Sequence, residues 1–168
     1  MASGDQYDVL KPINFIATNG PSLIPQLVPI GSYAGLPLAK LDTQYYVAEF
    51  RAVAGVATGI TIQTGLVEDS ANADPGRVVR LGITIKVLAS GTDTYDITTG
   101  AATEVTADVT MDATSGEVVL TNTAITAANA DSIAAGSRAL IAIRRVGSHA
   151  NDTHRGRVIL TGVTIRDT

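Results

Sequence analysis

The chain has 168 residues, no cysteine and a formal net charge of −4. The length fits one domain able to bury its own core, and the lack of cysteine excludes disulfides, thiolate metal sites and cysteine nucleophiles. Nucleic acid is not an expected partner, because the densest basic run (Arg144, Arg145, His154, Arg155 and Arg157) is interrupted by Asp152 and a clustered basic face is missing.

No run of about 18 apolar residues is present to span a membrane. Residues 1–8 are polar and acidic, so no secretory leader is expected. Charged residues make up 17% of the chain and aromatics 4%, below the roughly 25% charge usual in soluble domains. A surface so weakly charged is expected to lie in part against other protein.

Five of the six prolines fall at Pro12, Pro21, Pro25, Pro29 and Pro37. Proline removes a backbone donor and holds its predecessor extended. Residues 1–42 are therefore read as an irregular, extended N-terminal arm. The arm is nonetheless apolar, with Phe15, Leu23, Ile24, Leu27 and Val28 among its side chains. A disordered linker would be poor in such residues, so the segment is expected to lie against its own domain or a neighbouring subunit.

From Tyr45 the pattern turns to period two, and residues 43–168 are read as a separate sandwich domain. Residues 45–53 place Tyr46, Ala48 and Phe50 inward, and 58–67 follow as a second strand. Residues 78–88 alternate most cleanly, with Val79, Leu81, Ile83, Ile85 and Val87 on one face and Arg80, Gly82, Thr84 and Lys86 on the other. Residues 103–111 repeat the design, leaving Glu104 and Asp108 outward as solvated charges. Further strands are expected at 116–123, 138–146 and 156–166. Asp74-Pro75-Gly76 precedes one strand, and residues 112–116 sit in hairpin position between two others. The alanine-rich stretch 126–135 ends at Gly136 and is read as a short turn rather than a packed helix. Seven or eight short strands after an arm spell an all-β, antiparallel sandwich, with a jelly roll the favoured subtype. Periodicity alone leaves an immunoglobulin-like order open.

Chemistry is sparse. His149, Asp152 and His154 share one loop, where a metal site competes with a solvated hairpin whose Asp152 and Thr153 bond backbone amides; the second reading is preferred, and no metal or cofactor is expected. No Gly-x-Ser-x-Gly elbow, P-loop or dinucleotide fingerprint is present. The nearest carboxylate pairs for glycoside hydrolysis are Glu68/Asp69, Asp93/Asp96 and Glu104/Asp108. Tryptophan is absent, which weakens sugar stacking, although Tyr33, Tyr45, Tyr46 and Tyr95 remain. No enzymatic activity is expected.

The last third runs Ala134-Ala135-Gly136-Ser137-Arg138, then Leu140 to Arg145, then Asn151-Asp152-Thr153, then Gly156 to Ile165 with Gly162-Val163 near its end. This resembles the C-terminal pattern of small bacteriophage virion proteins with a jelly-roll domain. In the residues themselves, Arg144 or Arg145 is placed to pair with Asp152 across a hairpin and, with Thr153, to hold the loop down. The resemblance implies a capsid decoration (cement) protein. Its partners would be the major capsid protein and its own copies in a homotrimer, with Phe15, Leu23, Ile24, Leu27 and Val28 of the arm as the contacts to capsid or neighbouring subunit. It would be made in the host cytoplasm and placed on the outer capsid surface of the virion. The alternative it implies is a virion-associated receptor- or glycan-binding module of a head fibre or tail adhesin.

Overall fold

A computed structural model describes residues 6–11, 15–17, 28–30, 33–40, 44–52, 59–69 and 74–167. The described residues form eleven strands: β1 (Gln6–Leu10), β2 (Ile16–Ala17), β3 (Val28–Ile30), β4 (Tyr33–Leu38), β5 (Tyr46–Arg51), β6 (Gly59–Glu68), β7 (Val78–Leu88), β8 (Val105–Thr110), β9 (Val119–Thr126), β10 (Arg138–Arg145) and β11 (Val158–Asp167). No helix occurs among the described residues.

The strands make two antiparallel sheets. The first runs β3-β4-β11-β6-β9, with β1 pairing the second half of β11; the second runs β2-β5-β10-β7-β8. From β4 to β11 successive strands change sheet at every step except β7 to β8. The eight therefore occupy two four-stranded layers, β4-β11-β6-β9 and β5-β10-β7-β8. That order is a jelly roll, and it decides what periodicity had left open. It also removes two expected hairpins. Residues 112–116 and residues 146–157 each carry the chain from the second sheet to the first, so the strands they join are not paired.

The core lies between the layers. Ile60, Ile62 and Leu66 of β6 face Val79, Leu81, Ile83 and Ile85 of β7, joined by Ala139, Ile141 and Ile143 of β10. The β11 residues that join this core are Val158 and Leu160, then Val163 and Ile165. The parity changes because the register with β6 slips between Leu160 and Gly162. One extra residue there forms a bulge and restores the apolar side chains to the core.

The described parts of the proline-rich segment belong to this sandwich rather than to an arm. Leu10, Phe15, Leu36 and Leu38 are all in the core, and β4 pairs β11 at Val158 to Leu160. A division at residue 42 therefore cuts through the domain. Two prolines fit because of where they sit. Pro29 is exposed on the edge strand β3, where a missing donor costs little. Pro37 lies in the short β4–β11 pairing, and its carbonyl accepts from the buried Tyr46 hydroxyl at 2.7 Å. The alanine-rich stretch after β9 is a set of turns in which Asp131 and Ser132 take left-handed φ angles of 55° and 51°.

Candidate functional site

Strand β10 is apolar on both faces. Ala139, Ile141 and Ile143 point into the core, while Leu140 and Ala142 point outward and are also buried. Their cover is the loop of residues 89–104, which folds back over the second sheet and sets Ile97 on them. Lys86 fixes that loop. Its ammonium, almost fully buried on the outer face of β7, donates to the carbonyls of Thr94 at 2.9 Å and Asp96 at 2.7 Å. The Asp96 carboxylate caps the next turn by accepting from the Thr98 amide at 2.8 Å and hydroxyl at 2.7 Å. Those bonds, the Thr98 hydroxyl foremost, hold its carboxyl below the usual range.

Beside this loop the outer face opens into a cavity of about 320 Å³. Tyr45, Thr84, Glu104 and Arg144 line it together with Ile97, Thr98 and residues 100–102 of the loop. Arg144 and Glu104 form a bidentate pair, Nε to Oε2 at 2.6 Å and Nη2 to Oε1 at 2.8 Å. The guanidinium lies 5.5 Å from the Tyr45 ring centroid, within cation–π range. Gly82 makes this possible: a Cβ built there would stand 2.4 Å from Glu104 Oε2. The carboxylate lies directly over the bare α-carbon on its way across β7 to Arg144. The result is an aromatic ring beside a pre-organised, net-neutral array of charged donors and acceptors.

The neighbouring residue, Arg145, points the other way, into a second and wholly buried cluster. It donates to Asp152 Oδ1 at 2.6 Å and Oδ2 at 2.8 Å, and to the carbonyls of His154 and Gly156. Both side chains of the ion pair are fully buried. Asp152 also accepts from the Arg80 amide at 3.1 Å, and the Thr153 hydroxyl accepts from the Val78 amide at 3.1 Å. The loop thus docks against the start of β7. His154 is buried beside Glu68, with Nε2 at 3.1 Å from Oε1, and its Nδ1 lies 3.2 Å from the Gly156 carbonyl.

These placements sort the sequence expectations. Arg145 pairs with Asp152, and Arg144 does not. The loop is not a solvated hairpin, because His154 and Asp152 are core groups. His149 is exposed, with Nδ1 accepting from the Asn151 amide, so the two histidines and Asp152 do not converge. Among the described residues no group of three or more His, Asp or Glu side chains is placed to hold a metal. Glu104 and Asp108 are not free solvated charges: each is paired with its own arginine, Arg144 and Arg80, the latter at 2.6 Å. Tyr46 is buried and offers no face to a ligand, whereas Tyr45 lines the cavity and Tyr95 is exposed. Phe15 packs into the chain's own core. Val28 pairs with Gly35 at the sheet edge, and Leu23, Ile24 and Leu27 lie outside the described residues. The Arg144–Glu104 pairing and the covering loop went unrecognised in the sequence. The available signal was the outward Leu140 and Ala142 in β10, matched by a lone Ile97 in a polar loop.

No protein-family model and no curated protein matches the chain. Solved structures do. The CBM36-1 domain of a multidomain xylanase from the hindgut metagenome of Trinervitermes trinervoides aligns at 8% identity and a TM-score of 0.52, over 96% of each chain. A carbohydrate-binding module CBM36 in complex with calcium and xylotriose aligns at 8% identity and a TM-score of 0.50, over 94% of this chain and 98% of that one. The isomalto-dextranase of Arthrobacter globiformis T6, complexed with panose, aligns at 13% identity and a TM-score of 0.51; the match takes 94% of this chain but only 22% of the enzyme. At such identities the likeness is one of fold, and the protein is a jelly-roll β-sandwich of the architecture found in these carbohydrate-binding modules.

Proposed function

We propose that this chain is a non-catalytic carbohydrate-binding module, carried as the glycan- or receptor-binding part of a virion. The observation that carries the reading is the Tyr45–Arg144–Glu104 cavity on the outer face of the second sheet. A pyranose has apolar C–H faces and a rim of hydroxyls. An aromatic ring answers the first, and an array that both donates and accepts answers the second. The two CBM36 modules, similar along nearly their whole length, support the same reading, and the xylotriose of one of them makes neutral xylo-oligosaccharides the first probes. Virion carriage is supported by the pattern of residues 134–165. The absence of catalysis is supported by the engagement of Glu104 and Asp108 with separate arginines, away from a shared reacting centre.

Decoration of a capsid, with the major capsid protein as partner and a homotrimer as the working unit, rests on that C-terminal pattern alone. The contact mechanism drawn for it is weakened, since Phe15 is spent on the core and the described strands of the arm are part of the sandwich.

A glycan array followed by titration calorimetry tests the proposal. The expected result is saturable binding to a neutral oligosaccharide that Tyr45→Ala and Glu104→Gln both abolish. A folded protein with no glycan hit, which instead cosediments with undecorated capsids at a fixed ratio, would reject carbohydrate in favour of decoration.

A further inference from the structure

The cavity has a counterpart on the same face. Arg138 opens β10 six residues before Arg144 and lies on the same outward side. At about 3.3 Å per residue the two are about 20 Å apart. Arg138 forms a bidentate pair with Glu49, Nε to Oε1 at 2.6 Å and Nη2 to Oε2 at 2.9 Å. It also reaches Tyr95, whose ring centroid is 5.9 Å from the guanidinium. The outer face thus carries the trio tyrosine, arginine and glutamate twice, once at each end of β10, with the Ile97 loop between them.

The second trio is more open. Tyr95 is 63% exposed, yet its hydroxyl is fixed at both hydrogen-bonding positions. It accepts from Arg138 Nη2 at 2.6 Å and donates to Glu49 Oε2 at 3.4 Å. The Arg138 hydrogen bonds hold the Glu49 carboxyl below the usual carboxylate range, so the clamp stays charged in mildly acidic solution. An exposed aromatic side chain ordinarily loses rotamer freedom when a ligand orders it. Here the protein has already restricted that freedom, with Arg138 against the ring and most of the side chain held toward solvent.

From this we infer that Tyr95, held by Arg138 and Glu49, is a second sugar-stacking subsite, and that the ligand is an extended neutral oligosaccharide engaging both ends of β10 rather than a single terminal sugar. The inference rests on the reading of the Tyr45 cavity as a carbohydrate site. Both arginines are already neutralised by glutamates, which disfavours uronic or sialic acids.

The test is titration calorimetry with xylo-oligosaccharides and cello-oligosaccharides of increasing length against the wild type, Tyr95→Ala, Arg138→Met and Tyr45→Ala. Affinity for at least one series should rise about tenfold once the chain is long enough to reach the second ring, the scale of one added aromatic contact. Tyr95→Ala should erase that gain and leave the shortest binding oligosaccharide unaffected. Arg138→Met, which frees the ring without removing it, should reduce the gain. Tyr45→Ala should weaken every length. Affinity independent of length, or an unchanged gain in Tyr95→Ala, overturns the second subsite while leaving the cavity reading intact. Failure of every oligosaccharide to bind overturns both.

Discussion

Removing the Asp152 carboxylate should be among the most damaging single changes in the molecule. In Asp152→Ala the Arg145 guanidinium stays fully buried with only two backbone carbonyls for partners, and the Arg80 amide loses its acceptor. Stripping one partner from a buried ion pair costs about 3–5 kcal/mol. Measured against the roughly 5–15 kcal/mol that holds a typical domain together, that is about a fifth of the total or more. Asp152→Asn separates the contributions, since it keeps an acceptor for Arg80 and removes only the charge, and it should fall between Ala and wild type. The double variant Arg145→Met/Asp152→Leu should cost less than Asp152→Ala alone, because no charge is then left stranded. Urea denaturation at constant m-value reads all four proteins. A loss below about 1 kcal/mol for Asp152→Ala, the size expected of an exposed pair, would refute the argument. So would a double variant as unstable as Asp152→Ala.

Three further outcomes are expected. Burial pushes the Tyr46 hydroxyl up to about 12, with the nearby Arg157 charge offsetting part of the rise. Because the folded value lies above the unfolded value near 10, the contribution is complete below about pH 10 and is lost as pH rises from there through 12. The shift is worth about 3 kcal/mol. Spectrophotometric titration should show one of the five tyrosines ionising late or in step with alkaline unfolding, and ionisation of all five near pH 10 in folded protein would contradict it. Gly82→Ala places a methyl group where the Glu104 carboxylate lies; the flexible side chain swings aside at a cost of about 1 kcal/mol or less, and oligosaccharide binding should weaken, whereas unchanged affinity by calorimetry would remove Glu104 from the site. Deleting residues 1–42 removes β1 and β4 with Leu10, Phe15, Leu36 and Leu38. At about 2–5 kcal/mol for each truncated core leucine the remainder should not fold, and a cooperative thermal transition by circular dichroism in that fragment would show these strands to be an appendage.

The strands most legible in the sequence are those with one wet face. β5 shows its buried positions by alternation alone, and Tyr46, Ala48 and Phe50 are buried as the pattern implies; β7 alternates as clearly, although the covering loop also buries Thr84 and Lys86 on its outer face. β10 is harder, because a loop distant in sequence covers its outer face and leaves a continuous apolar run. β4 was hidden by Pro37, which bars a residue from donating but not from lying in a short three-residue pairing. The hairpin readings at 112–116 and at the loop of His149, Asp152 and His154 fail for one reason: turn chemistry fixes where a chain reverses, not which sheet it enters next. Of the site, Arg144 was singled out, but its partner Glu104 is 40 positions away. The space that joins them is a missing side chain at Gly82, and an absence leaves no periodic signal.

The winding of the sandwich has a consequence for how the protein comes into being. β11 is the central strand of the first sheet, with β6 on one side and β4 and β1 on the other. Until residues 158–167 have left the ribosome, β4 and β6 have no strand to join them, and half of the core lies open. Native pairing therefore links segments far apart in sequence, which makes folding slow and concentrates it after synthesis of the whole sandwich. During that wait the apolar strands β6 and β7 are exposed, and the nascent chain is at its most vulnerable to aggregation.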